Sequence, residues 1–142
     1  MKGSYVILIK LLKTQTITIG SRQSLHFPHG HYAYIGSAMG GFKPRLSRHL
    51  KSHKKPHWHI DYLLEKASIT GLILCETNDR AECSIAQALQ CQFDSIPGFG
   101  SSDCRCHSHL FFATDDMKST IMTTLNSQGM KPLFKVDLSI TV

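Results

Sequence analysis

No stretch of this chain is apolar for long enough to cross a bilayer. Its most apolar run, VILIKLLK, is interrupted by Lys10 and Lys13 and has no small-residue cleavage site, so neither a membrane span nor a signal peptide is expected and the run reads as a first strand. An even set of cysteines is also missing. Five of them, Cys75, Cys83, Cys91, Cys104 and Cys106, with no leader ahead of them, argue against a disulfide framework and for free thiols in a reducing cytoplasm. Internal repeats and low-complexity tracts are absent as well, which excludes solenoids and extended disorder. What is present is 142 residues, 42% of them apolar and spread along the chain, enough for one compact domain over residues 1–142 with a real core.

Charge is unevenly placed. The formal net charge is +6, and Lys43, Arg45, Arg48, Lys51, Lys54 and Lys55 fall in one short segment. A concentrated positive stretch suits a polyanion such as nucleic acid, because each neutralised phosphate releases a condensed counterion. A solvated helix face would have the same composition.

Hydrophobic periodicity divides the chain into alternating elements. Strands are expected from Gly3 to Leu12, over TQTITIG and over HYAYIGSA, where Tyr32 and Tyr34 share a face and Gly36 is the turn by which the chain leaves. SRQSLHFPHG, with Pro28 and Gly30, reads as a loop. Pro44 suits a helix's first turn, and Leu46 and Leu50 give an amphipathic helix from Lys43 to Ser52. HIDYLLEK fits either a short helix or a strand, and SITGLILCET is a strand. DRAECSIAQALQCQF is a helix with Asp79 as candidate cap and Glu82 in its first turn. HLFFAT, MKSTIMTTLNSQ and KVDLSITV complete the chain as strand, helix and strand. The expected class is α/β in the broad sense, more narrowly α+β, with a small, mainly antiparallel central sheet flanked by helices.

Two groups of residues carry chemistry. Cys104 and Cys106 lie beside His107 and His109, but C-x-C and H-x-H are not zinc-knuckle spacings, and buried thiols are often small hydrophobes. A zinc-stabilised interaction domain built on these four residues is one alternative function. The second group suits phosphodiester cleavage, which needs a water activator, a cation for the developing charge and a metal-binding carboxylate. Arg45 and His49, four apart, share a helix face directly after the strand bearing Tyr34. His57, His59 and Asp61 in HWHID suit catalysis, metal binding or a hydrogen-bond network that supports other groups, and the last, structural role is the one expected, while Ser101, Ser102 and Asp103 fit either a turn or an anion-binding loop.

This order of motifs resembles the GIY-YIG nuclease superfamily. Gly3-Ser4-Tyr5 stands where that family has Gly-Ile-Tyr, and Tyr34-Ile35-Gly36 copies its second strand. Arg45 and His49 follow on a helix, with Glu82 on a later one. GSAMGG, RLSRHL, HWHIDYLL, AEC and GFGSSDCRCHSHLFF resemble one branch of it, sometimes fused to endonuclease III-like repair domains. The connection between Tyr5 and Tyr34 is longer than the family's usual hairpin. The resemblance implies a GIY-YIG-like domain and a metal-dependent endonuclease acting on DNA in repair or at structured sites. Tyr5 and Tyr34 would flank the scissile phosphate, with one of them or His49 activating water. Arg45 would stabilise the pentacovalent charge and Glu82 would hold one Mg²⁺ or Mn²⁺. Lys43, Arg48, Lys51, Lys54 and Lys55 would then meet nucleic acid. A non-catalytic nucleic-acid-binding repair module on the same fold is the other alternative.

Overall fold

The computed structural model describes residues 1–20, 23–51, 55–56, 58–101 and 104–136. Lys54, His57, Ser102, Asp103 and all but the first two residues of the expected final strand lie outside them. In chain order the elements are β1 (Gly3–Leu11), β2 (Gln15–Ile19), β3 (Gln23–Phe27), β4 (Gly30–Ala38), α1 (Phe42–Leu50), α2 (His59–Leu64), β5 (Ser68–Glu76), α3 (Glu82–Gln90), β6 (Asp94–Ser95), β7 (Leu110–Ala113), α4 (Lys118–Ser127) and β8 (Leu133–Lys135). The class is α+β. Six strands form one antiparallel sheet in the order β6-β7-β4-β1-β5-β8, and β2 and β3 form a separate hairpin.

The position of β1 explains its composition. It lies between β4 and β5 and is covered on both faces, so it reads as a nearly continuous apolar run rather than an alternating one. Tyr5, Ile7, Ile9 and Leu11 pack on one face with Phe42 and Leu46 of α1 and Ile60 and Leu63 of α2. Val6 and Leu8 pack on the other with Ile85 and Leu89 of α3 and Ile121 and Leu125 of α4. In α1 the inward stripe is Phe42, Leu46 and His49, the 3.6-residue repeat of a helix with one buried face. Full burial of a side chain such as Leu46 stabilises the fold by about 1.5–3 kcal/mol.

Three expectations need correction. Gln23–Phe27 is a strand, not loop: it pairs with β2, and Phe27 is buried while Gln23, Ser24 and His26 face solvent. The long connection between Tyr5 and Tyr34 is thus itself a folded hairpin, hidden by the polarity of its outer positions. Gly36 is not a turn but an interior position of β4, paired with Tyr5. Asp79 does not cap α3. The residue before that helix is Ala81, whose N–H donates to Ser4 Oγ (3.2 Å), so the serine standing where the resembled family has isoleucine anchors the start of α3.

HIDYLLEK resolves as the short helix α2. Asp61 is fully buried there, and its Oδ2 accepts the Trp58 backbone N–H at 2.9 Å and Arg48 Nη2 at 2.7 Å. These contacts join α1 to α2 and pair Arg48, one of the residues expected to meet nucleic acid, with a buried carboxylate. Removing one partner of a buried ion pair leaves the other charge unpaired. Asp61→Ala is therefore expected to lower stability by about 3 kcal/mol, measured by urea unfolding. A loss no larger than that of an exposed pair would contradict this role. Among the described residues no helix is long and apolar enough to cross a membrane, and the five cysteines are free.

Candidate active site

At the end of the sheet where β1 begins and β4 and β5 finish, the surface folds into a cavity of about 470 Å³. Tyr5, Tyr34, Arg45, His49 and Glu82 all line it. Their convergence follows from register. Tyr5 pairs with Gly36 and Ile7 with Tyr34 across β1 and β4, so the two tyrosines are diagonal neighbours on one face of the sheet. Arg45 and His49 come from α1 on that face, and Glu82 is the first residue of α3, which crosses the end of the sheet from the other side. Tyr32 shares the face but lies deeper. Its ring packs against Phe27 and Phe112, and its hydroxyl bonds to the Pro28 carbonyl.

Space for Tyr5 is provided by Gly36. A Cβ built there would lie 2.3 Å from both Cζ and Oη of Tyr5, so only glycine lets the phenol lie across β4. Tyr5 Oη is 2.7 Å from His49 Nε2, and both residues are buried. Burial raises the Tyr5 phenol well above its ordinary value, and the neighbouring Tyr34 adds to this while Arg45 opposes it. Tyr34 is raised likewise, by burial first and then by the Glu82 charge, again against Arg45. Both are therefore neutral phenols at physiological pH and not phenolate bases.

Arg45 is held by Trp58. Its guanidinium lies 4.6 Å from the indole centroid, and that of Arg48 lies 4.7 Å from it. Trp58 also stacks near His49, with centroids 5.7 Å apart. Two arginines on one ring are tolerable because Asp61 neutralises Arg48, leaving Arg45 as the cation that faces the cavity. His59 lines the cavity too, and its Nδ1 accepts the Gly100 N–H at 3.1 Å, tying α2 to the loop before β7. Lys43, Lys51 and Lys55 are exposed on or just after α1.

Three residues at or beside the cavity escaped the sequence reading. Trp58 was visible as the chain's single tryptophan within HWHID, but its use as an arginine platform needs the fold. Arg80, exposed just before α3, adds a second cation to the rim and has no sequence signal. Cys83 is the third. Its Sγ meets those of Cys104 and Cys106 and a ring nitrogen of His109, with all four atoms within 4.8 Å of one another. This group could hold a metal ion. His107, expected in such a set, is exposed and outside it. Partial burial, then the adjoining Cys83 and Cys104 thiols, push the Cys106 thiol up to about 12, as expected for thiols crowded together. Cys104 and His109 also line the cavity.

An antiparallel α+β sheet with helices on both faces, bearing at one end a polar cleft that among the described residues is lined by tyrosines, arginines and a single carboxylate, is the class of protein that the fold and site define. The model of the family described as a domain of unknown function, DUF123, matches residues 4–130, and the chain belongs to that family. No curated protein and no solved structure matches it.

Proposed function

We propose that this protein is a GIY-YIG-type endonuclease that hydrolyses phosphodiester bonds in DNA with one divalent metal ion, in repair or in the processing of structured DNA. The observation that carries the reading is the meeting of Tyr5, Tyr34, Arg45, His49 and Glu82, from two strands and two helices, around one cavity. Buried polar side chains gathered at a concave surface, with perturbed phenols among them, are what a reaction centre requires.

Each residue then has a role consistent with its surroundings. Arg45, aligned by Trp58, offers a planar fork to the non-bridging oxygens of the phosphate, where charge grows as water adds to phosphorus. Tyr5 is a relay: its oxygen takes the attacking water's proton while its own phenolic proton passes to His49 Nε2, so no free phenolate has to form. The 2.7 Å contact is short enough for that transfer. Tyr34, also kept protonated, donates to a phosphate oxygen. The new P–O bond to water forms as the ester P–O bond breaks.

Among the described residues lining the cavity, Glu82 is the one carboxylate, and Ser37 Oγ is a buried oxygen there without a hydrogen-bond partner among them. Few protein oxygens, with water and substrate phosphate completing the shell, suit Mg²⁺ or Mn²⁺. When bound, such an ion supplies Lewis-acid polarisation of the phosphoryl group and neutralises the leaving oxygen. Lys43, Lys51 and Lys55 would follow the nucleic-acid backbone, which makes binding salt-dependent.

The test is incubation with nicked, branched, single-stranded and duplex DNA, and with RNA, in the presence and absence of added Mg²⁺ or Mn²⁺. Cleavage of a DNA substrate only when the ion is supplied is the expected result. Binding with no cleavage of any substrate would replace this reading with that of an accessory module.

A further inference from the structure

We infer that Cys83, Cys104, Cys106 and His109 bind one zinc ion, and that this ion fastens the loop before β7 to the first turn of α3, where Glu82 sits. Three thiolates and an imidazole are the donor set of a closed, four-coordinate structural zinc site, whereas Mg²⁺ and Mn²⁺ prefer oxygen. The geometry agrees. Around a tetrahedral zinc ion, with Zn–S about 2.3 Å and Zn–N about 2.0–2.1 Å, a sulfur and a nitrogen ligand stand about 3.5 Å apart. Cys104 Sγ and His109 Nε2 are 3.5 Å apart, and no pair in the quartet exceeds 4.8 Å. Small side-chain rotations would bring all four onto one ion.

The chain around the quartet is arranged as a ligand frame. Among the described residues between β6 and β7, 96–101 and 104–109, none belongs to a helix or strand, and a connection of that length inside a compact domain usually has a function or a fastening. Part of the fastening is visible. The Cys104 N–H donates to Ser101 O, the His109 N–H to Phe99 O, and His109 O accepts the Ile35 N–H of β4. These bonds fix one end of the ligand run to the sheet. Cys83, in the first turn of α3, is the ligand from outside the loop, and a metal bond to it closes the chain between residues 83 and 104. That closure adds to the anchoring that Phe99 gives the loop in the core and constrains the run of ligands after it. Because Cys83 adjoins Glu82, the same bond sets the register of the Glu82 wall of the cavity.

This assignment does not depend on the nuclease reading, and its test reads metal rather than cleavage. The full chain, purified without a metal-affinity step, is analysed for zinc against protein concentration, with about one zinc per chain expected. Replacing zinc by Co²⁺ should give the intense visible bands of a tetrahedral thiolate site together with sulfur-to-cobalt charge transfer. Cys106→Ser should lose stoichiometric zinc, whereas Cys91→Ser, at an exposed position outside the quartet, should retain it. Should Cys106→Ser fail to fold, the cobalt spectrum of the unmodified chain still reports the ligand set. Hydrogen exchange should show α3's first turn protected with zinc and faster once it is withdrawn. Protein with no zinc that takes up none on titration, a disulfide among these thiols in its place, or full zinc retention in Cys106→Ser would each overturn the proposal.

Discussion

Arg45→Ala and Glu82→Ala are each expected to lower the single-turnover rate of DNA cleavage by ~10²–10³, and the double variant by less than the product of the two. Arg45 is half-buried, faces the cavity and is aligned by an aromatic ring rather than by a carboxylate. Its charge is therefore available to a phosphate instead of being spent within the protein. Arg48, one turn away, is the contrast, because Asp61 occupies it. Arg45→Lys should recover little, since an ammonium cannot present a bidentate fork or stack in the same way. In the proposed reaction Glu82 would act on the same developing charge by holding the metal ion, and two groups that stabilise one charge do not contribute independently. The two variants separate in binding. DNA affinity measured without divalent ion should be nearly unchanged in Glu82→Ala and weaker in Arg45→Ala. Cleavage by Glu82→Ala at the unmodified rate would remove the metal-carboxylate assignment.

The sequence discloses those parts of this molecule that depend on local pattern. The strands with an apolar period and the helices with a buried stripe were readable because each side chain's burial is dictated by the face it occupies. β3 was not, because Ser24 and His26 lie on the exposed side of a hairpin whose inner side offers only Leu25 and Phe27 as apolar residues, with Gln23 exposed at the strand's start. The ordered tyrosines, arginine, histidine and glutamate could be proposed together, and the fold does bring them to one cavity. Three of the pairings that organise it, Arg48 with Asp61, Trp58 with Arg45 and Cys83 with Cys104, join residues in different elements or loops, and no period in the chain announces them. Three of the four residues in the cysteine and histidine quartet were visible. Cys104, Cys106 and His109 are adjacent in sequence, and the choice of Cys83 over His107 is made by where α3 begins.

Gly36→Ala is expected to reduce cleavage by about 10²-fold and stability by about 1–3 kcal/mol, a large consequence for one methyl group. The backbone at Gly36 is not in the left-handed region that favours glycine, so conformation alone would permit alanine, and loss of glycine's unfolded-state freedom would even help by about 0.5–1 kcal/mol. Space decides otherwise. The new Cβ would lie 2.3 Å from Tyr5 Cζ and Oη, whereas ordinary contact begins near 3.4 Å. The phenol must therefore retreat by roughly an ångström, a displacement of the size that costs about two orders of magnitude in rate when a reacting group is misplaced. Tyr5 has little room to do so, being 1% exposed and held against His49. Either its ring turns away and the Oη–Nε2 contact is lost, or β1 and β4 part locally. Gly40→Ala provides the control, because nothing lies within 4 Å of a Cβ at Gly40, and its stability should be unchanged. A cycle with Tyr5→Ala distinguishes a clash from a general weakness of β4: once the ring is gone, Gly36→Ala should cost almost nothing in urea unfolding. If it costs as much in that background, the glycine serves the strand and not the tyrosine.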